Sequence, residues 1–338
     1  MQKSKYFLEI DNTKGFSIIL AVFGHAAPDA VKGFWIVGQD SLSASLHSLV
    51  YSFHMALFFV CSGFLLYPKL EAMGGVGIRF KRLMIPYLFL SIVYLGAKMF
   101  GGGLADNPLT DNPLIGIIFG KSPCYGAWFL WVLFVMNFLV ILLYRTISLT
   151  NLLIIFCVVS FLPIKYNENF FGIEKVQHEM MWLVLGCLVR KYYMYVERFI
   201  ALWVVLIFAS ILVSLHLLEP IYQKSAWLIV HFLTMVKTFS GVTASFVMCY
   251  FIAKKMSQSN IVNKTLKICS DYCMDIYILS MFVLVPLRIL YVNYGGMNII
   301  PYYIWLIIAT LLGVIVPIVM SKYIVRKSRI LKVLLLGS

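Results

Sequence analysis

Long apolar stretches separated by short polar segments recur along the whole chain. A helix needs about 20 apolar residues to cross the hydrocarbon core of a bilayer. Ten stretches approach this length, which predicts transmembrane helices at approximately 7–27, 48–67, 83–100, 127–145, 150–164, 178–190, 199–218, 226–253, 268–290 and 301–324. The fifth and sixth are short, so one of them is open to a re-entrant interpretation. The pattern predicts a single all-α membrane domain over residues 1–338.

Composition and charge support this prediction. The chain is 62% hydrophobic and 12% charged, which is typical of a polytopic membrane protein. With the N-terminus in the cytoplasm, 20 of the 28 basic residues fall in inner segments. The outer loops hold five of the other eight, namely Lys32, Lys121, Lys165, Lys175 and Lys224. The remaining three lie inside spans or at their edges, namely Lys98, Lys237 and Arg288. This bias predicts that both termini are cytoplasmic, and it explains the net charge of +14 without a nucleic-acid partner.

The cysteines do not suggest a metal centre. All seven are scattered, most of them inside apolar spans, and no histidine or second cysteine pair completes a set of ligands. We interpret them as core residues and expect no bound metal.

The first span, "KGFSIILAVFGHA", carries a cation at one end and an imidazole near the other. Lys14 and His25 are eleven residues apart, which is about 20° beyond three full turns, so they share one helix face. Their separation along the axis is about 16 Å. Ionisable groups inside a span are candidates for function.

The second span, "LVYSFHMALFFVCSGFLLY", carries His54. If the first two spans form a hairpin, His54 and His25 lie at similar depth. Histidine suits a general base because its pKa lies near neutrality. The alternative is that each histidine merely hydrogen-bonds to a neighbouring helix.

The loop before the third span reads "RFKRLMIPY" and contains Arg79, Lys81 and Arg82. Two interpretations stay open for this basic segment. It is an anchor for anionic lipids or a topology signal, or it is a phosphate clamp, since guanidinium groups match phosphate geometry.

Two residues on the outer side are weaker candidates for binding a substrate. Trp128, in "CYGAWFLWVLF", is typical of the aromatic belt at a membrane interface. Glu179 lies at the outer edge of the sixth span, where it is either a hydroxyl-binding group or a hydrated loop end. Lys237 and Arg288 are buried charges that need partners.

Four motifs in order carry a family resemblance: "DNTKGFSIILAVFGH", "YSFHMALFFVCSGFL", "RFKRLMIPYLFLS" and "WFLWVLF". They resemble the acyltransferase type 3 family of integral membrane acyltransferases, and most of all its bacterial sugar O-acetyltransferases of the fucose 4-O-acetylase kind. The resemblance extends from Asp11 to about Leu279. Two positions depart from the family pattern: Ala56 stands where proline is frequent, and Ser280 stands where a histidine is frequent.

The resemblance implies a membrane O-acyltransferase of the bacterial cytoplasmic membrane. Such an enzyme takes an acyl group, usually acetyl, from cytoplasmic acetyl-CoA and passes it to a hydroxyl of a carbohydrate or glycolipid. The family pattern matches Lys14 with His25, and an Arg-x-x-Arg pair at Arg79 and Arg82.

From these observations we predict a two-ended site. His25 is the general base, and His54 assists it or binds the acceptor. The CoA phosphates are bound by the basic side chains at the cytoplasmic end, namely Lys14, Arg79, Lys81 and Arg82. Trp128 and Glu179 contact the acceptor. The alternative function is a transporter or flippase of an envelope glycan or lipid, which buried charges would suit. The sequence leaves the oligomeric state open.

Overall fold

The computed structural model describes residues 6–27, 41–70, 75–101, 112–164, 170–293 and 299–338. Within these ranges the regular structure is entirely helical, so the predicted all-α class is confirmed. The helices are α1 (Leu8–Ala26), α2 (Ser41–Tyr51), α3 (His54–Leu66), α4 (Gly75–Gly101), α5 (Pro113–Ile118), α6 (Trp128–Leu143), α7 (Leu149–Ser160), α8 (Ile173–Lys191), α9 (Tyr193–Phe199), α10 (Leu202–Leu217), α11 (Glu219–Tyr222), α12 (Trp227–Lys255), α13 (Ile261–Asp271), α14 (Cys273–Asn293), α15 (Tyr302–Tyr323) and α16 (Arg329–Leu336). Lys32 and Lys165, which we assigned to outer loops, lie outside the described residues.

Several helices are long and apolar enough to cross a membrane. Within the described ranges five segments meet this condition: Leu42–Lys69, Val76–Met99, Trp227–Lys255, Cys273–Tyr291 and Tyr302–Lys327. A sixth is possible if α9 and α10 form one span, although they are bent by 83° at the break between them. The chain is therefore an integral membrane protein. The total of about ten spans and the cytoplasmic position of both termini stay predictions.

The other predicted spans are helical, but each misses one condition for a complete crossing. α6 and α7 are strongly apolar and have 16 and 12 residues. α1 is 19 residues long but carries three charged side chains, Glu9, Asp11 and Lys14. α8, which contains the predicted span 178–190, is also 19 residues long and carries five charged side chains. Length and charge therefore separate these helices from the five clear spans.

The chain divides into two compact units that are each discontinuous in sequence. The first unit contains Met1–Cys61 and Met194–Tyr323, and the second contains Ser62–Tyr193 and Ile324–Ser338. The single domain over residues 1–338 stays a prediction.

The first unit is built around α1, which packs against α2, α12, α13, α14 and α15. Close packing needs a small residue at the point of contact, and Gly15 supplies it, because a Cβ there would overlap the carbonyl of Leu266 in α13. The buried Asn12 amide donates to Asn263 Oδ1 at 2.7 Å. Asn263 in turn donates to the carbonyl of Ile252 in the last turn of α12 at 3.3 Å, and to that of Ser257 just beyond the helix at 3.0 Å. Three helices are thus joined by buried amides.

The second unit contains α4, α6, α7, α8 and α16. α8 packs against α6 and α7, and α4 packs against α6 and α16. Gly63, in the part of α3 that belongs to this unit, lies directly on the backbone of Leu183 in α8. The thiol of Cys187 donates to the Gly63 carbonyl at 3.2 Å, so the "CSGF" segment is a helix-packing surface.

We expect Gly15→Ala to lower the free energy of unfolding by about 1–3 kcal/mol, because the added methyl group forces α1 away from the backbone of α13. The measurement is the thermal unfolding midpoint of the purified protein in detergent. Gly96→Ala is the matched control, since no atom lies within 4 Å of its added Cβ. Equal midpoints for the two variants would contradict the close approach of α1 and α13.

Candidate functional site

His25 contacts α2 through Tyr51. The Tyr51 hydroxyl and His25 Nδ1 are hydrogen-bonded at 3.2 Å, and the two rings meet edge to face with centroids 6.2 Å apart. Gly24 makes this approach possible, because a Cβ at that position would overlap the Tyr51 ring. The adjacent residues Gly24 and His25 therefore act together: the first admits the tyrosine and the second binds it.

Tyr51 also joins His25 to two further imidazoles. Its ring stacks on His47 at a centroid distance of 4.1 Å and lies 4.8 Å from the ring of His54. The structure thus brings the two predicted histidines, His25 and His54, to one tyrosine. Within the described part of the chain, no group of three histidine, cysteine or acidic side chains is arranged to hold a metal ion.

His54 is only 3% exposed. Its Nδ1 lies 3.0 Å from the carbonyl oxygen of Val50, one turn earlier. A carbonyl accepts only from N–H, so Nδ1 carries the proton and Nε2 of the neutral ring keeps its lone pair. His54 therefore supports the Tyr51 ring from a fixed position, and its catalytic role stays a prediction.

Arg288 on α14 binds the backbone of α1 next to the imidazole. Its Nη2 donates to the carbonyl oxygen of His25 at 2.7 Å. The sequence identifies Arg288 as a buried charge that needs a partner but does not assign it to the site. The His25 carbonyl is such a partner. The sequence prediction also missed Tyr51 and His47. A signal for Tyr51 existed, because it lies three residues before His54 and thus about one helical turn away.

Lys14 lies at the opposite end of the same helix. Because α1 is continuous from Leu8 to Ala26, the axial separation of about 16 Å from His25 holds. Lys14 is half-buried, as is His25. The first unit therefore holds a cation and an imidazole on one rigid helix.

The basic segment lies in the second unit, in the second turn of α4. Lys81 and Arg82 are exposed, whereas Arg79 is half-buried. Its Nη1 is shielded from solvent and has no hydrogen-bond partner among the described residues. Arg79 and Arg82 are three residues apart and share a helix face, whereas Lys81 is about 200° from Arg79. The arginines, without Lys81, can therefore bind one anion together.

The C-terminal helix packs on this basic segment. Gly337 ends α16 in a left-handed conformation, with φ of 62°. It lies against the Lys81 carbonyl and the Arg82 Cα, where a side chain would overlap the α4 backbone. α16 therefore covers the backbone of the basic segment, which the sequence did not indicate.

Trp128 and Glu179 come together through a lysine of the second unit. Lys175 Nζ lies 5.6 Å from the centre of the Trp128 ring. Lys175 is also one helical turn before Glu179 on α8 and acts on its carboxylate. Glu179 Oε2 is shielded from solvent and has no hydrogen-bond partner within the described ranges. An indole face thus lies beside the Lys175 ammonium group, and a shielded carboxylate lies one turn further along the same helix.

Apolar helices long enough to span a bilayer, and a partly buried cluster of three histidines around Tyr51, define a helical membrane protein with a polar cluster inside its first unit. A family model described as an acyltransferase domain matches residues 7–322, so the chain belongs to this family of membrane acyltransferases. The predicted family is therefore confirmed, whereas the sugar O-acetyltransferase subtype stays a prediction. No curated protein and no solved structure matches the chain.

Tyr51→Phe tests the link between His25 and its partner. The variant removes the hydroxyl but keeps the ring that stacks on His47 and His54. A neutral hydrogen bond contributes about 0.5–1.5 kcal/mol, so we expect the acyl-transfer rate to fall about 3–10-fold with the fold retained. The rate is measured as release of the thiol from an acyl thioester donor. An unchanged rate would show that the hydroxyl does not orient His25.

Proposed function

We propose that this protein is an O-acetyltransferase of the bacterial cytoplasmic membrane. It transfers acetyl from cytoplasmic acetyl-CoA to a hydroxyl of a cell-envelope carbohydrate or glycolipid. The observation that carries the proposal is the contact of His25 with Tyr51 on a helix whose other end carries Lys14. Membership of the acyltransferase family supports it.

Acyl transfer to an alcohol needs a base for the hydroxyl proton. When His25 Nδ1 donates to the Tyr51 oxygen, Nε2 keeps the lone pair that this role requires. The acceptor oxygen bonds to the acetyl carbon as its proton passes to Nε2. The carbon–sulfur bond then breaks, and the sulfur takes the proton from Nε2, so that CoA leaves as the free thiol and His25 is again neutral. Arg288 holds the backbone of His25 throughout, which fixes the position of the ring.

The donor is a polyanion with a long, thin arm. Its phosphates match Arg79 and Arg82, because the buried Nη1 of Arg79 lacks a hydrogen-bond partner among the described residues and guanidinium groups bind phosphate in a bidentate manner. Within the first unit, Lys14 offers a separate cation for a donor phosphate. The pantetheine arm is about as long as the separation of Lys14 from His25, about 16 Å. A thioester at the end of this arm would reach His25 when the phosphate is bound at Lys14.

The acceptor would bind where Trp128, Lys175 and Glu179 meet. Sugar rings present C–H faces that pack on an indole, and their hydroxyls donate to carboxylate oxygens. Glu179 Oε2, which has no hydrogen-bond partner among the described residues, is such an acceptor. This chemistry supports a carbohydrate more than a purely apolar alcohol.

The transporter alternative drew its support from buried charges without evident partners. Lys237 donates to Glu219 Oε2 at 2.8 Å, and Arg288 donates to the His25 carbonyl. Both charges are therefore accounted for by contacts inside the first unit, and no particular observation favours transport.

The base assignment predicts that His25→Ala lowers acetyl transfer by about 100-fold or more, the usual contribution of general-base catalysis. The measurement is CoA release from radiolabelled acetyl-CoA, with envelope glycans as acceptor. His231→Ala is the control and should stay within about twofold, since His231 stacks on Trp227 and takes no part in the proposed proton transfer. Normal transfer by His25→Ala would overturn the assignment.

The phosphate clamp predicts unequal effects along the basic segment. A hydrogen bond to a charged group contributes about 1.5–3 kcal/mol, so Arg79→Ala and Arg82→Ala should each raise the KM for acetyl-CoA about 10-fold or more. Lys81→Ala, on another side of α4, should change it less than about threefold. Equal small effects of all three variants would instead favour a lipid anchor.

A further inference from the structure

A second group of polar side chains lies in the first unit, away from the ring of His25. Ser45 Oγ on α2 lies 2.8 Å from Nε2 of His216 at the end of α10. The other ring nitrogen, Nδ1, lies 3.4 Å from Glu219 Oε2. The Ser45 hydroxyl thus contacts the His216 imidazole, and the imidazole lies beside the Glu219 carboxylate.

The Glu219 carboxylate is held in place. Lys237 Nζ donates to Glu219 Oε2 at 2.8 Å, and Gln223 Nε2 donates to Oε1 at 3.3 Å. The Lys237 side chain is 2% exposed, so the ion pair is shielded from water on that side. Breaking a buried pair is costly, and this contact keeps the orientation of Glu219 fixed.

The three side chains are all partly exposed. Ser45 is neither buried nor fully exposed, and the side chains of His216 and Glu219 are 10% and 22% exposed. A carbonyl compound can therefore reach the hydroxyl, while the imidazole and the carboxylate are held by protein. A catalytic group of nucleophile, base and orienting acid is recognised by the spatial arrangement of its side chains. Their order along the sequence differs between unrelated proteins.

Local sequence explains why the histidine and the acid meet. His216 and Glu219 are three residues apart at the junction of α10 and α11, so they share one side of the turn. If the hydrogen bond served only to join α2 to α10, Ser45 and His216 would be enough, and no carboxylate would be needed beside the ring. The carboxylate lies at ion-pair distance from the far ring nitrogen, although Nδ1 makes no hydrogen bond among the described residues. A negative charge at that position stabilises the imidazolium that forms when His216 accepts a proton.

We propose that Ser45 is a nucleophile that carries an acyl group as a covalent ester, with His216 as its base and Glu219 as the residue that orients the base. The Ser45 oxygen bonds to the carbonyl carbon of an activated ester or thioester, and its proton passes to His216 Nε2. The bond to the leaving alcohol or thiol breaks, and that group takes the proton. The products are acyl-Ser45 and a free alcohol or thiol, with no change in oxidation state.

This site would give the protein a place to hold an acyl group. Ser45 is six residues before Tyr51 on the same helix, or about 9 Å along its axis. Tyr51 contacts His25, so α2 connects the two sites. The identity of the natural donor, acetyl-CoA, rests on the proposed function; the reaction with a simple ester does not.

The test uses the purified full chain in lipid nanodiscs and p-nitrophenyl acetate as the probe. We expect a rapid burst of about one nitrophenolate per protein molecule, followed by slow turnover. After acid quenching, mass spectrometry should locate the acetyl group on the peptide that contains Ser45. Ser45→Ala should abolish the burst, and His216→Gln should slow it about 100-fold or more.

Ser48→Ala is the matched control, because Ser48 is exposed on the same helix, and its burst should be unchanged. Ser45→Cys keeps a nucleophile at the position and should carry the acetyl group as a thioester, which guards against a variant that simply fails to fold. Acetyl on another residue, or an unchanged burst in Ser45→Ala, would overturn the proposal.

A parallel measurement with radiolabelled acetyl-CoA separates this proposal from the proposed function. If acetyl-CoA supports acceptor labelling while Ser45 never carries acetyl from either donor, only the Ser45 proposal fails. If p-nitrophenyl acetate acetylates Ser45 but acetyl-CoA is never consumed, the Ser45 proposal stands and the proposed donor is wrong.

Discussion

The burial of α1 among its neighbours is the constraint on which the first unit depends. A helix surrounded by other helices must satisfy its polar side chains without water. Thr13 and Ser17 do so within the helix, by donating to the carbonyls of Glu9 and Thr13. Asn12 instead donates to Asn263 on another helix, which fixes the rotation of α1. Once this rotation is fixed, the positions of Lys14 and His25 are fixed with it.

The close packing around α1 also places α2 beside it and determines which polar groups the side chains of α2 contact. Gly24 leaves room for the Tyr51 ring, and Tyr51 then meets His25, His47 and His54. One turn and a half earlier on α2, Ser45 meets His216. A short helix thus carries two contacts between hydroxyls and imidazoles. Both contacts join residues of helices, so close packing of α2 against α1 and α10 is what brings these groups together.

The second unit has a different organisation, with polar chemistry placed on helix ends. The arginines lie in the second turn of α4, and α16 covers their backbone through Gly337. Trp128 begins α6, and Lys175 and Glu179 lie in the first two turns of α8. Helix ends suit these roles, because long polar side chains there reach an interface or a ligand while the apolar middle of each helix packs.

Much of this protein follows from local properties of its sequence. Apolar stretches of helical length predict an all-α membrane protein, and the eleven-residue separation of Lys14 and His25 sets their shared face in any continuous helix. The motifs around these residues suffice to predict the family. The number of complete crossings does not follow as directly, because α6 and α7 are short and α1 carries three charges, so hydropathy alone does not decide whether they span.

Only the tertiary structure decides the partners of the polar groups. The contacts of His25 with Tyr51, of Ser45 with His216 and of Arg288 with the His25 carbonyl join residues 26, 171 and 263 positions apart. Helix periodicity sets the face on which a side chain lies, but it carries no information about which distant helix packs on that face. That choice depends on small residues such as Gly15 and Gly24, which admit one neighbour, and on buried polar groups, which must find a partner in the apolar interior.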